Sequence, residues 1–169
     1  EQSPRGKTIL VHCEQGLGDT LQFCRYVPLL ARSGARVWLH APAELRGLLA
    51  SLEGVDRMLT GGDVVSGFDC HVPLMSLPLA LGTRLDSIPA QVPYLRAPEP
   101  ALALWKEQLG KRRSLRIGLA WSGKPSHRHD RRRSLPLARL LPCLPDSCEL
   151  YCLQRELRDA DRDVLERDG

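Results

Sequence analysis

Asp19 is the residue whose surroundings best equip it for chemistry. It ends the run Glu14-Gln15-Gly16-Leu17-Gly18-Asp19, which directly follows the apolar stretch Thr8-Ile9-Leu10-Val11-His12-Cys13. The pattern predicts a strand, a glycine turn and the start of a helix. That geometry aims backbone N–H groups and a helix N-terminus at whatever lies beyond the strand end. Dinucleotide-binding turns share the shape, but a carboxylate beside the second glycine would meet a pyrophosphate as a like charge in a partly dry pocket. The same carboxylate is well placed to take a proton from a hydroxyl. The turn therefore reads as part of an acceptor site. On the turn alone two roles stay open for Asp19: general base, or a first-turn acid held by the helix dipole. Gly16 and Gly18 are expected to permit a tight turn and close ligand approach. Gln15 and Gln22 are expected to offer hydrogen bonds to an acceptor.

The second concentration of chemistry is basic. Lys111, Arg112, Arg113, Arg116, Lys124, Arg128, Arg131, Arg132, Arg133 and Arg139 crowd into one stretch, with Asp130 the only acid among them. The whole chain carries only +4, so the charge is local. Such a patch implies an anionic ligand or a solvated face. His127 and His129 stand in the same stretch, where they are weak candidates for phosphate or metal contact. His12 and His71 read as satisfied strand histidines, and Trp105 and Trp121 as core residues.

Both groups need a scaffold, and the apolar periodicity supplies one. Strands are predicted at 8–13, 36–40, 55–59 and 68–73, with helices at 20–30 and 42–52. Pro28 is expected to kink the first helix, and Pro42 to open the second. The alternation predicts a Rossmann-like parallel sheet with helices covering both faces. Pro78, Pro89, Pro93, Pro98 and Pro100 break up the next stretch, with an edge strand expected at 92–95. A helix at 101–109, a strand at 114–121, a helix from about Leu135, a strand at 148–153 and a charged helix at 155–167 complete the chain. The strand–loop–helix unit thus occurs twice, which divides the chain into an acceptor-side domain at 1–100, a connection at 101–113 and an incomplete second domain at 114–169.

Composition narrows the class. Of 169 residues, 43% are hydrophobic and 26% charged, as in an ordinary globular protein. No apolar run approaches the roughly 18 residues of a membrane span. The chain starts without methionine or signal peptide and reads as a piece of a longer protein. Its six cysteines include no C-x-x-C pair and no Cys–His ligand spacing. Buried reduced thiols, a cytoplasmic setting and no metal are expected. A nicotinamide-dependent dehydrogenase is disfavoured: a third glycine is missing after Gly18, and the second strand ends in His40-Ala41-Pro42 rather than in an acid.

The stretch from Glu14 to Tyr26 resembles the opening of the heptosyltransferase-like glycosyltransferases (family 9 type). It is most similar to the glycosyltransferase domains that follow tetratricopeptide repeats in bacterial proteins. Phe68-Asp69-Cys70-His71-Val72-Pro73-Leu74, the stretch from Ile88 to Leu95, and Arg116 to Gly123 with Asp130 to Ser134 resemble the same group. The resemblance implies a GT-B fold of two Rossmann-like domains facing across a cleft. This chain would hold the acceptor half and the start of the donor half, and by itself would be inactive. The implied activity is transfer of a sugar from a nucleotide sugar, ADP- or UDP-linked, to a saccharide, lipid-linked or protein acceptor. Asp19 would be the catalytic base. Gln15, Gly16, Gly18 and Gln22 would bind the acceptor. Ser122, Gly123, Lys124, Arg131 and Arg133 would contact the donor diphosphate. No cofactor is implied; the missing C-terminal half-domain and upstream repeats would be partners. The competing classes are an inactive transferase-like scaffold and an anion- or nucleic-acid-binding module. Nucleic acid is not expected, because the basic residues lack interleaved aromatic side chains.

Overall fold

The computed structural model describes residues 3–168, so the outer domain bounds at 1 and 169 lie outside the described residues. The chain divides into two compact units, Glu1–Lys106 and Glu107–Gly169. The protein is α/β, and each unit has its own parallel sheet.

The first unit is built on β1 (Thr8–His12), β2 (Arg36–His40), β3 (Val55–Leu59) and β4 (Cys70–Pro73) in the order β3-β2-β1-β4, all parallel. Winding runs outward from β1 through β2 to β3, then returns to the other side of β1. The reversal falls between β1 and β4, and the crevice beyond the carboxyl ends of strands at such a point is where open α/β sheets bind ligands.

The predicted helix at 20–30 is interrupted. It forms α1 (Leu17–Phe23), a 3-10 turn at Cys24–Tyr26 and α2 (Val27–Arg32). Pro28 has no N–H to give the Cys24 carbonyl, and the Val27 N–H bonds that carbonyl in its place. Pro28 therefore opens α2 rather than kinking one long helix. Likewise the helix predicted at 42–52 is a 3-10 turn at Ala43–Leu45 followed by α3 (Arg46–Leu49). A short α4 (Leu77–Ala80) follows β4.

Ile9, Val11, Val37 and Leu39 pack with Cys24, Val27, Leu30, Leu45, Leu49, Leu74 and Leu77 in one core. By strand alternation, Leu10, Trp38 and Leu59 point to the opposite face, and none of them belongs to that core. The β3–β4 connection lies over this side: a side chain at Gly67 would come within 3.9 Å of the Trp38 indole. That connection, 60–69, contains no helix. The expectation of helices on both faces is therefore corrected: they gather on one.

The expected edge strand at 92–95 is absent, and the sheet ends at β4. Pro93 cannot donate to a ladder, and side chains anchor the segment instead. Tyr94 Oη donates to the Leu21 carbonyl at 2.9 Å, while Arg25 donates to the Pro89 carbonyl and to Tyr94 Oη. Next, α5 (Glu99–Leu109) buries none of its residues. Trp105, expected in a core, is 56% exposed.

The second unit pairs β5 (Leu115–Leu119) with β6 (Cys148–Cys152) in parallel. Between them lie a long loop, a 3-10 turn at Asp130–Arg132, α6 (Leu137–Leu140) and a 3-10 turn at Leu141–Cys143. The final helix, α7 (Asp159–Asp168), starts four residues later than predicted. Its core is small: Trp121, Leu137 and Val164.

Candidate functional site

The strand-to-helix turn after β1 places Asp19 in the first turn of α1. Its Oδ2 accepts the Gly16 N–H at 3.1 Å, satisfying one of the amides that a helix start leaves unpaired. Thr20, fully buried, adds a bond from its hydroxyl to the Gly16 carbonyl. Asp19 itself is half-buried. No bond is made by its other oxygen among the described residues. The turn sits beyond the carboxyl end of β1, beside the β1/β4 switch point.

The glycines act through size rather than conformation. Gly16 has φ −66° and ψ 170°, which any residue adopts, and Gly18 is helical. The tight-turn reason for them does not hold. A side chain added at Gly18 would meet nothing within 4 Å, so the helix start is bare and open to close approach. Gln15 and Gln22 are exposed. Gln22 is one helical turn beyond Asp19 and lines a cavity of about 620 Å³ with Phe23, Tyr26, Arg84, Leu85 and Ile88. Gln15, Gly16, Gly18 and Asp19 do not line it.

Two thiols flank the turn. Burial pushes the Cys24 thiol up to about 12, and burial also raises that of Cys13. The expectation of generally buried thiols fails: Cys70, Cys143 and Cys152 are exposed, Cys13 and Cys148 half-buried, and all six are free.

In the second unit a polar network holds the loop after β5. Gln154, just past β6, accepts the N–H groups of Trp121 and Ser122 on its Oε1 and donates its Nε2 to the Ser122 carbonyl at 2.8 Å. Asp130 accepts Ser134 Oγ and Arg158 Nη2, each at 2.6 Å. Ser134 Oγ in turn accepts the Gly123 N–H at 3.0 Å. The Ser134 hydroxyl, and then the Arg158 guanidinium, hold the Asp130 carboxyl below the usual carboxylate range. Arg133 lies against Gly123: a side chain there would come within 2.7 Å of Arg133 Nε.

The structure thus brings Ser122, Gly123 and Arg133 together. Lys124 and Arg131 are exposed, and Arg131 lines an open hollow of about 440 Å³ with Arg128, Arg132, His127 and His129. Ser122 Oγ and Arg158 Nε are buried without a hydrogen-bond partner. Sequence reasoning missed Gln154 and Arg158. Gln154 had one signal, its place just after a predicted strand at the end of the sheet where binding loops gather; Arg158, inside a predicted charged helix, had none. No protein-family model matches this chain, and no curated protein or solved structure matches it either.

Proposed function

We propose that this chain is part of a glycosyltransferase of GT-B type. Its first unit serves the acceptor and its second begins the nucleotide-sugar half. In the reaction, the free Asp19 oxygen takes the acceptor hydroxyl proton as that hydroxyl oxygen attacks the anomeric carbon. The sugar–phosphate bond breaks, and the nucleoside diphosphate leaves with the bonding electron pair. Arg133 and the Ser122–Gly123 turn, with Lys124 and Arg131 at the loop surface, stabilise the charge growing on its phosphates. Gln15 and Gln22 hydrogen-bond the acceptor, and the bare surface at Gly16 and Gly18 lets it approach.

One observation carries this reading: a half-buried carboxylate with one oxygen left over stands at the carboxyl end of the central strand, beside the switch point. The Gly16 N–H bond to the same carboxylate also favours a second reading, in which Asp19 only caps α1 and the domain is a transferase-like scaffold. Nucleotide release from a panel of nucleotide sugars by the full parent chain separates the two. The expected result is release from one donor that falls about a hundredfold or more in Asp19→Asn. The asparagine keeps an oxygen to accept from Gly16, so the cap survives while the base is lost. Release unchanged in the variant rejects the base; silence across the panel, with no nucleotide bound, favours the scaffold.

A further inference from the structure

All three histidines of the first unit stand on one face of its sheet, on three adjacent strands. His12 and His40 are register partners on β1 and β2. His71 on β4 pairs with Leu10, two residues before His12 on the same face. His71 Nδ1 and His12 Nε2 lie 3.4 Å apart, with ring centroids separated by 5.4 Å. The Phe68 ring meets His71 edge-on at 6.4 Å, which restrains the imidazole.

A nitrogen–nitrogen separation of 3.4 Å is long for a hydrogen bond donated by nitrogen, which runs about 2.7–3.2 Å. It fits another arrangement better. Two imidazole nitrogens bound to one tetrahedral zinc, each about 2.0–2.1 Å from the metal, lie roughly 3.3–3.4 Å apart. We propose that His12 and His71 form a two-imidazole site for a divalent cation of the zinc, nickel or copper class. Water fills the remaining positions. Neutral imidazole selects these metals over magnesium and calcium, which prefer oxygen. His71 is exposed and His12 half-buried, so an ion reaches both from solvent. Paired strands fix both backbones, so binding requires no refolding. No three ligating side chains form a ready group among the described residues, so the site binds more weakly than a closed structural zinc centre. Linear spacing hid it, because 59 residues separate the two ligands and parallel pairing alone unites them. The site stands independently of the glycosyltransferase reading.

The test is calorimetric titration of the whole chain with nickel, after alkylation of the exposed thiols of Cys70, Cys143 and Cys152. The expected result is one saturable equivalent, weakened about tenfold or more in His12→Asn and in His71→Asn. The double variant His127→Asn/His129→Asn should retain it; those two rings, 6.1 Å apart, are the competing pair. Circular dichroism checks folding. If a variant fails to fold, paramagnetic broadening of the His12 and His71 ring resonances by nickel in the unsubstituted protein gives the second readout. No saturable equivalent, a site that survives both single substitutions, a site that moves with His127 and His129, or unbroadened His12 and His71 resonances would overturn the proposal.

Discussion

Single side chains divide this molecule into groups held for structure and groups left over. The cysteines show the division. Cys24 lies inside the core with its thiol pushed up to about 12, so almost none of it is thiolate at pH 8. Thiolate is the reactive form. A short exposure of the native protein to iodoacetamide at pH 8 should therefore modify Cys70, Cys143 and Cys152 and leave Cys24 untouched, as read by peptide mass spectrometry. Modification of Cys24 at the rate of Cys70 would contradict the core packing. Apolar neighbours misled the sequence reading because position in the sheet decides burial: Cys70 opens the edge strand β4 and Cys152 closes β6 in a two-stranded sheet, and both are exposed although their register partners Ile9 and Leu119 pack on the cores.

Carboxylates tie the elements of the second unit together beside its small apolar core. Asp161 on α7 accepts Trp121 Nε1 at 3.0 Å on one oxygen and the Leu137 N–H at 3.1 Å on the other. One buried carboxylate thereby ties α7 to the end of β5 and the start of α6. Asp161→Ala leaves both donors unpaired and should destabilise the second unit by about 1–3 kcal/mol. Urea unfolding followed by Trp121 fluorescence measures it, with Trp38 and Trp105 both replaced by phenylalanine to isolate the signal. A second tie crosses β5 and β6, where Arg116 bonds Glu149 at 2.9 Å and Ser114 and Tyr151 add theirs. Arg116 first, then Tyr151 and Ser114, bring the Glu149 carboxyl down to about 2. A carboxyl lowered by folding contributes stability that is fully present above its ordinary value near 4.5 and fades as pH falls toward 2. Acid unfolding of the second unit should therefore steepen in that window. Glu149→Gln should flatten the dependence there while lowering stability at pH 7; an unchanged acid limb would remove Glu149 as its cause.

Across the whole chain, legibility followed the range of the forces involved. β2 and β3 match their predicted bounds because the glycine or proline near each end, Gly34 and Pro42 for β2, Gly54 and Gly61 for β3, is a local signal. The turn at Glu14 to Asp19 was legible for the same reason. The break before Pro28 was half legible: the proline announced an interruption, but not that the Val27 N–H would take the Cys24 carbonyl in a 3-10 turn and leave two helices. The pairing of His12 with His71 and the clamp of Arg158 on Asp130 were invisible, since strand register and loop closure bring them together across 59 and 28 residues.

The two units also differ in how much apolar surface stabilises them, and this difference yields a prediction for the whole chain. Among the described residues, the first unit packs fifteen buried residues in one core, whereas the second packs three. Local opening free energy rises with buried apolar contact, and small cores support little stability alone. Amide exchange followed by mass spectrometry should show β1 and β2 among the slowest segments. β5 and β6 should exchange at least about tenfold faster, because a difference of about 1.4 kcal/mol in opening suffices for that factor. A nucleoside diphosphate bound at Ser122, Gly123 and Arg133 would slow the second unit and leave β1 to β3 unchanged, because a ligand stabilises the conformation that holds it. Equal protection of the two units without ligand would mean that the Asp161 and Glu149 ties make up for the missing apolar core. Slowing confined to the first unit would place anion binding away from the basic loop and remove the main support for its role in holding phosphate.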